Sequence, residues 1–498
     1  MSITGPGSIT AANIQAVNNM NKQLDTLTAE LGSGQAAQTY SGLGSQAGLA
    51  LSLNQQLAAI TAYSNTATTA GTTLTVAQSV LSQLDGSRTS VIQAVGQQGT
   101  FALNGNGQTT TQAAAASQLG EILSLLNTQV GNNYIFSGSA TTTPSVASSD
   151  TVLNGNGAQA GLVQVINERQ QADLGTGSGR LVVGGSGSSV SLADDSATSP
   201  FGFKVASITS NLTGATVTSS SPPSVAVNLG ANPNAGDTIA FGLTLPDGSS
   251  QTITLQATTD SPPGANQFTI GATATATAGN LQTALSGAVA SLAQTALPAA
   301  SAIAAANDFF NSNPPLRVSG TPASSTSLVA GTAANTVFWY TGESGATPAL
   351  QTALAQVGPT TTIAYGMRAN EQAITSLVAN VAVLAATTYS ASDPNAQTNY
   401  DALSQKVAAN LDGQPGTQQI SDIESDLVNA QTSMSNATNL NTQTQTTLTG
   451  MMQNIDGVNQ NQIGEQILTL QNSLSASLSV TARLAQLSLV NYLAPSSG

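Results

Sequence analysis

The 498-residue chain is 40% hydrophobic but only 6% charged and 4% aromatic, and it contains neither cysteine nor histidine. That composition excludes disulfides, thiol nucleophiles, the usual zinc ligand sets and every histidine-based triad. The net charge is -14, with nine Lys and Arg spread singly, so no basic patch stands ready for phosphates or an anionic membrane surface, and no nucleic-acid partner is expected.

The start, Met1-Ser-Ile-Thr-Gly-Pro6, has no positive region followed by an apolar core, and Lys22 is the first base. No cleavable secretory signal is therefore expected, while the lack of cysteine fits an exported protein. Alanine-rich runs such as 284–306 are broken by Ser, Gln and Pro298, and no run of about 20 apolar residues stands out, so no membrane insertion is expected.

In chain order, Ser8 or Thr10 is placed to cap a first helix whose apolar residues Ile14, Val17, Met20, Leu24, Leu27 and Leu31 step by threes and fours. That spacing is a narrow seam of coiled-coil type. Gly32-Ser-Gly34 and Tyr40-Ser-Gly-Leu-Gly44 interrupt it. Leu49, Leu53, Leu57 and Ile60 then open a helix of about 50 residues, running through Leu74, Leu81, Leu84 and Val95. A turn at Asn104-Gly-Asn-Gly107 precedes a further helix over Thr110 to Val130.

At Asn133-Tyr-Ile-Phe-Ser-Gly138 the chemistry changes to that of strands and turns. Strands are predicted over Leu162 to Ile166, Leu181 to Val183, Thr238 to Leu245, Gln251 to Gln256, Gln267 to Ile270, Val337 to Tyr340 and Thr360 to Tyr365. Pro246-Asp-Gly-Ser-Ser250 is a hairpin turn, and one helix, 278–310, interrupts the strands. From Arg368 onward helices return over Asn370 to Tyr389, Asn395 to Leu411 and from Gln418. The last of these carries the seam Ile420, Ile423, Leu427, Ala430, Met434 and Ala437. Asp456-Gly457 to Asn461 is a break. Beyond it Ile463, Ile467, Leu470 and Leu474 make a final seam that, after one slip, continues through Leu478, Thr481, Leu484 and Leu487 towards Val490 and Leu493.

Few features have the makings of a chemical site. Gly175-Thr-Gly-Ser-Gly179 and Val183-Gly-Gly-Ser-Gly187 lack the lysine and following helix of a phosphate loop, and are read as turns. Asp194-Asp195, with Asp150 or Asp173, has no regular ligand spacing and is read as solvated turn acids rather than a calcium site or glycosidase pair. Asn211-Leu-Thr213 and Asn436-Ala-Thr438 match the N-glycosylation triplet by chance in so Asn- and Thr-rich a chain. Phe338-Trp-Tyr340 has the makings of a sugar or base platform, but is read as a sheet-core cluster. No catalytic residue, metal or cofactor is expected.

The two ends together resemble the bacterial flagellin and hook-associated family. The resemblance is carried by the first seam helix with Leu31-Gly-Ser-Gly34 and Tyr40-Ser-Gly-Leu43, and by Ala482-Arg-Leu-Ala-Gln-Leu-Ser-Leu-Val-Asn-Tyr-Leu493. Gly131-Asn-Asn-Tyr-Ile-Phe-Ser-Gly-Ser139 and Tyr365-Gly-Met-Arg-Ala-Asn-Glu371 resemble the junction-type members that join hook to filament. Gly34-Gln-Ala-Ala-Gln38 departs from the family's basic hinge. The resemblance implies a non-enzymatic structural subunit, with filament flagellin as the alternative and a secreted adhesin or carbohydrate-binding protein as a more distant one.

It further implies mainly α terminal regions, 1–138 and 367–498, whose long coiled-coil-like helices pack together around a β-rich inserted middle, 139–366, giving an α+β chain. The expected assembly interface is Ile14, Val17, Met20, Leu24, Leu27, Leu31, Ile463, Ile467, Leu470, Leu474, Leu484, Leu487, Val490 and Leu493. The expected partners are further copies, the other axial subunits (hook, hook-associated proteins, flagellin) and an export chaperone. The expected place is the flagellum, reached by secretion without a cleaved signal.

Overall fold

The computed structural model describes residues 6–37, 39–97, 101–220 and 223–492, without the side chains of 6–10, 220, 484, 485 and 487–492. Its helices are α1 (Pro6–Ser33), α2 (Ala47–Gly96), α3 (Thr110–Leu126), α4 (Ser149–Asn154), α5 (Leu162–Leu174), α6 (Ala274–Phe310), α7 (Gln372–Ala386), α8 (Ala396–Leu411), α9 (Ile420–Asp456) and α10 (Gln460–Tyr492). Long helices near both ends flank a β-rich middle, the α+β layout expected. α1 already includes Pro6, so Ser8 and Thr10 lie inside the helix and do not cap it. Proline suits the first turn, where its missing N–H has no helical acceptor to lose.

The chain divides into two compact units. Unit 1 holds α1, α2 as far as Thr69, the short segment Gln356–Thr362, and the chain from Ser433 through α10. Unit 2 holds Ala70–Ala355 and Ile363–Thr432. The segments expected to divide at 138 and 366 are not the compact units, because α2 from Ala70, α3, α7, α8 and the start of α9 fall with the middle.

In unit 2 two four-stranded sheets share one core. The first has β3 (Leu181–Ser186), β4 (Ser189–Asp194), β6 (Ala215–Ser220) and β7 (Ser224–Leu229) in the order β3-β4-β7-β6. The second has β5 (Lys204–Ser210), β8 (Thr238–Thr244), β9 (Ser250–Thr258) and β10 (Gln267–Thr269) in the order β10-β9-β8-β5. β1 (Gln129–Val130) and β2 (Asn133–Tyr134), like β11 (Leu316–Val318) and β12 (Leu328–Ala330), are small antiparallel pairs. The hairpin β8-β9 forms as its turn predicts, whereas β10 joins β9 in parallel.

α6 is the spine of this core. Leu281, Leu285, Val289, Ala293, Leu297 and Ala300 recur along one face and are buried in the cluster that takes in both sheets. By length and composition α6 could cross a membrane, contrary to the expectation that no apolar run is long enough, yet 56% of its apolar window is buried inside the protein. Its hydrophobicity is that of a core helix.

Two predicted strands are absent. Leu162 to Ile166 begins helix α5: the buried set Leu162, Val165, Ile166, Arg169, Ala172 and Asp173 follows a helical period that a five-residue window hides. Val337 to Tyr340 makes only isolated bridges beside it, Thr336 to Ala160 and Tyr340 to Val146. α3 starts with a full capping box, Thr109 with Gln112, and Gln112 Nε2 also donates to the Thr387 carbonyl at 2.8 Å, which fixes the start of α3 to the end of α7.

Candidate assembly surface

Within unit 1 the two ends of the chain meet. α1 stops at Gly34, whose φ of 72° suits glycine, and the following strand-like residues bridge to the break before α10. Ala36 N donates to Asp456 O at 2.6 Å, and Val458 N to Gly34 O at 3.2 Å. These bonds hold the end of α1 against the start of α10, so the helices run antiparallel and pack along their length.

Their seam is shallow. On α1, Val17, Met20, Leu24, Leu27 and Leu31 are half-buried and Ile14 is 51% exposed; on α10 Ile463 is buried and Ile467, Leu470 and Leu474 are half-buried. Beyond Leu474 the half-buried positions are Ser477 and Thr481, so the alternation of threes and fours continues unbroken. The expected slip to Leu478 does not occur: Leu478 is 50% exposed. Apolarity alone drew the stripe to Leu478, while the helix keeps its period with small polar residues in the seam. Leu484, Leu487 and Val490 lie on the α10 backbone with their side chains outside the described residues, as Leu493 is altogether.

A groove of about 700 Å³ opens between Leu27 and Leu470, walled by Gln23, Thr26, Gln466 and Thr469. Elsewhere unit 1 presents large apolar side chains to solvent: Ile14, Leu49, Leu51, Leu440, Met451, Leu468, Leu478 and Val480 are 48–63% exposed. A single exposed leucine needs no explanation, but repeated ones on long helices mark surface awaiting a partner. Among the described residues every ion pair lies in unit 2; Lys22 and Arg483, the two bases of unit 1, make none.

Sequence reasoning missed one piece of unit 1. Gln356–Thr362 comes from the β-rich middle, and Asn441 of α9, itself buried, donates through Nδ2 to the Val357 carbonyl at 3.0 Å. No short motif signals such a contact. In unit 2 the two stretches that border the middle pair with each other: Gly138 N donates to Met367 O at 3.0 Å and Ala369 N to Phe136 O at 2.8 Å.

The acids read as solvated turns are mostly something else. Arg169 reaches Asp173 at 3.0 Å and Asp308 at 2.5 Å, and its guanidinium stacks 5.2 Å from the Phe201 ring centre. Asp173 is fully buried and also accepts the Gly202 N–H at 2.8 Å. Burial pushes its carboxyl above the usual range against the pull of Arg169. Burial likewise raises Asp308, with Arg169 opposing and Asp173 adding to the rise. Asp194 pairs with Lys204 at 3.5 Å and Asp195 with Arg180 at 3.1 Å. These are structural pairs of the body, and among the described residues no three acidic groups are placed to hold a metal ion. Trp339, read as part of a sheet core, is buried but belongs to no strand.

Long helices from both chain ends, paired antiparallel by a thin seam and carrying apolar residues outward, define a coiled-coil, structural class of chain. Residues 8–141, spanning nearly all of α1 through α3 and the β1-β2 pair, match the family model described as the bacterial flagellin N-terminal helical region. That match supports the flagellin family, whose members are structural proteins of flagellar motility that self-assemble into filaments, and with it a structural flagellar subunit. No curated protein matches the chain.

Proposed function

We propose that the protein is a non-enzymatic subunit of the bacterial flagellum that assembles at the junction of hook and filament. The observation that carries assembly is the half-buried α1-α10 seam with apolar residues left outside it. In the assembled organelle Ile14, Val17, Met20, Leu24, Leu27, Leu31, Ile463, Ile467, Leu470, Leu474, Leu484, Leu487, Val490 and Leu493 form the contact between subunits. Segments 1–138 and 367–498 provide the axial parts, and 139–366 the exposed body. The junction role, rather than that of filament flagellin, is supported by the pairing of 136–138 with 367–369, since these two stretches carry the resemblance to junction members. Partners are further copies, the neighbouring axial subunits and an export chaperone, and the protein reaches the flagellum by secretion without a cleaved signal.

Leu487 and Leu493 changed together to Asp place two unpaired charges in a dry contact, where each leucine would contribute about 1.5–3 kcal/mol. Because a helical assembly repeats its contact in every subunit, the loss is propagated. The expected result is a secreted monomer absent from the flagellum, read by immunoblot of the medium and by imaging of labelled protein on intact flagella. Label at the hook end with filaments shed in the double variant supports the junction; label along the filament supports flagellin. Normal incorporation of the double variant overturns the interface.

A further inference from the structure

We propose that a cavity of about 190 Å³ beside the sole tryptophan of the chain binds one neutral sugar residue. The inference is independent of the assembly reading, since the cavity lies wholly in unit 2. Phe338, Trp339 and Tyr340 form one wall and the amides Asn311, Asn313, Asn370 and Gln372 much of the rest, with no charged side chain among the lining residues. A cavity without charge favours an uncharged ligand. Its volume, below the ~300–1,000 Å³ of sites for larger ligands, admits one ring and not an oligosaccharide.

The geometry separates a sugar from a nucleobase. Trp339 is 3% exposed, fixed by its Nε1 bond to the Phe310 carbonyl at 2.9 Å, and meets Phe310 at 67° and Tyr340 at 51°. Rings crossing at such angles leave no parallel slot in which a flat base would stack. Phe338 and Tyr340, both half-buried, offer apolar ring surface to the C–H face of a pyranose, with Trp339 buried against Tyr340, while the lining amides carry donors and acceptors for neighbouring hydroxyls.

A second observation points to the same occupant. Thr375 Oγ1, on a residue 2% exposed, and Tyr340 Oη are buried without a hydrogen-bond partner, and both residues line the cavity. Many helical threonines elsewhere in this chain return their hydroxyl to the carbonyl four residues back, as Thr61 does to Leu57 and Thr295 to Ser291. Thr375 does not, although its backbone N–H bonds Glu371 O at 2.8 Å. A buried hydroxyl left unpaired costs free energy that a hydroxyl-rich ligand would recover.

Because Trp339 is the chain's one tryptophan, its fluorescence reports this cavity alone. The full chain is titrated with glucose, galactose and N-acetylglucosamine, with sialic acid and adenosine monophosphate as charged comparators. At least one neutral sugar is expected to shift the emission with a dissociation constant on the order of 1 mM, as suits so small a ligand. Thr375→Val and Asn370→Ala are each expected to weaken it about tenfold or more, with Thr375→Val leaving the thermal midpoint unchanged or higher. No shift with any neutral sugar up to about 100 mM, equal binding by either charged compound, or unchanged affinity in both variants overturns the proposal.

Discussion

Helix α7 and helix α10 are built from similarly uncharged sequence but live by different means. α7 has 15 residues, and Ile374, Leu377, Val378, Val381, Val383 and Leu384 are each at most 1% exposed. α10 has 33 residues, and among its described side chains only Ile463 is buried. A long helix with a thin seam gains little from propensity once the entropy of ordering is counted, so α10 depends on what packs against it. α7 is already enclosed, touching α3, α5 and α6. The comparison teaches that the proposed functional division and the compact units differ: segment 367–498 contains both a helix enclosed almost throughout and one that is hardly buried.

The most severe way to break the contrast is to remove 139–366 by joining 138 to 367. That deletion strips α5 and α6 from α7 and α6 from α8, leaving a row of Val and Leu bare; the expected outcome is aggregation with no cooperative melt by circular dichroism. A soluble, cooperatively melting product would show that α7 does not need the middle. Less drastic is Leu377→Ala, expected to lower stability by about 2–5 kcal/mol in urea titration because it opens a cavity in a closed site. Leu470→Ala, in the half-buried seam, is expected to cost the unassembled protein under about 1 kcal/mol. Equal losses at the two positions would erase the distinction.

The smallest effect separates the units by pH. Asp173 and Asp308 titrate above their ordinary value of 3.8, so their contribution to stability is complete below that value and declines as pH rises through the folded pKa values. Acidification from neutral pH through that window therefore stabilises unit 2 through this pair. Asp247 behaves oppositely: burial works to raise it, but hydrogen bonds from Lys406 and Ser249 and the lysine charge prevail and lower it. Its contribution is lost only as pH falls through a value below 3.8. Asp308→Asn is expected to flatten the rise in thermal midpoint between pH 7 and pH 4; an unchanged slope would locate the dependence elsewhere.

The helices were the legible part of this chain, because a seam of alternating threes and fours is a local signal. α2 was expected at about 50 residues and has 50; the break before α10 also stood where expected. Less legible was α5, whose buried face includes Arg169 and Asp173, since the ion pair that makes burial of those charges tolerable is closed by Asp308 from a distant helix. β5 and β6 escaped notice because Ser, Thr and Ala fill most of them, whereas β4 and β7 do alternate, through Val190 and Leu192 and through Val225, Val227 and Leu229, in runs of six residues too short to stand out among the surrounding Ser and Thr. Along the α1-α10 seam Ile463, Ile467, Leu470 and Leu474 were legible, and so was Thr481; Ser477 was not, since nothing in its chemistry announces a seam. The Asn441 contact to Val357 joins residues far apart in sequence and leaves no pattern in either.

The thin seam between α1 and α10 contains no ion pair among its described residues, and this sets how its joining should respond to the solution around it. Charge screening has little to act on there, so added sodium chloride leaves it nearly unaffected. What drives it is the release of water from leucine, isoleucine and valine, a process with a negative heat-capacity change that weakens on cooling and strengthens with sulfate or other solutes excluded from protein surfaces. The α1-α10 contact is in that sense tuned by temperature and water activity, not by salt.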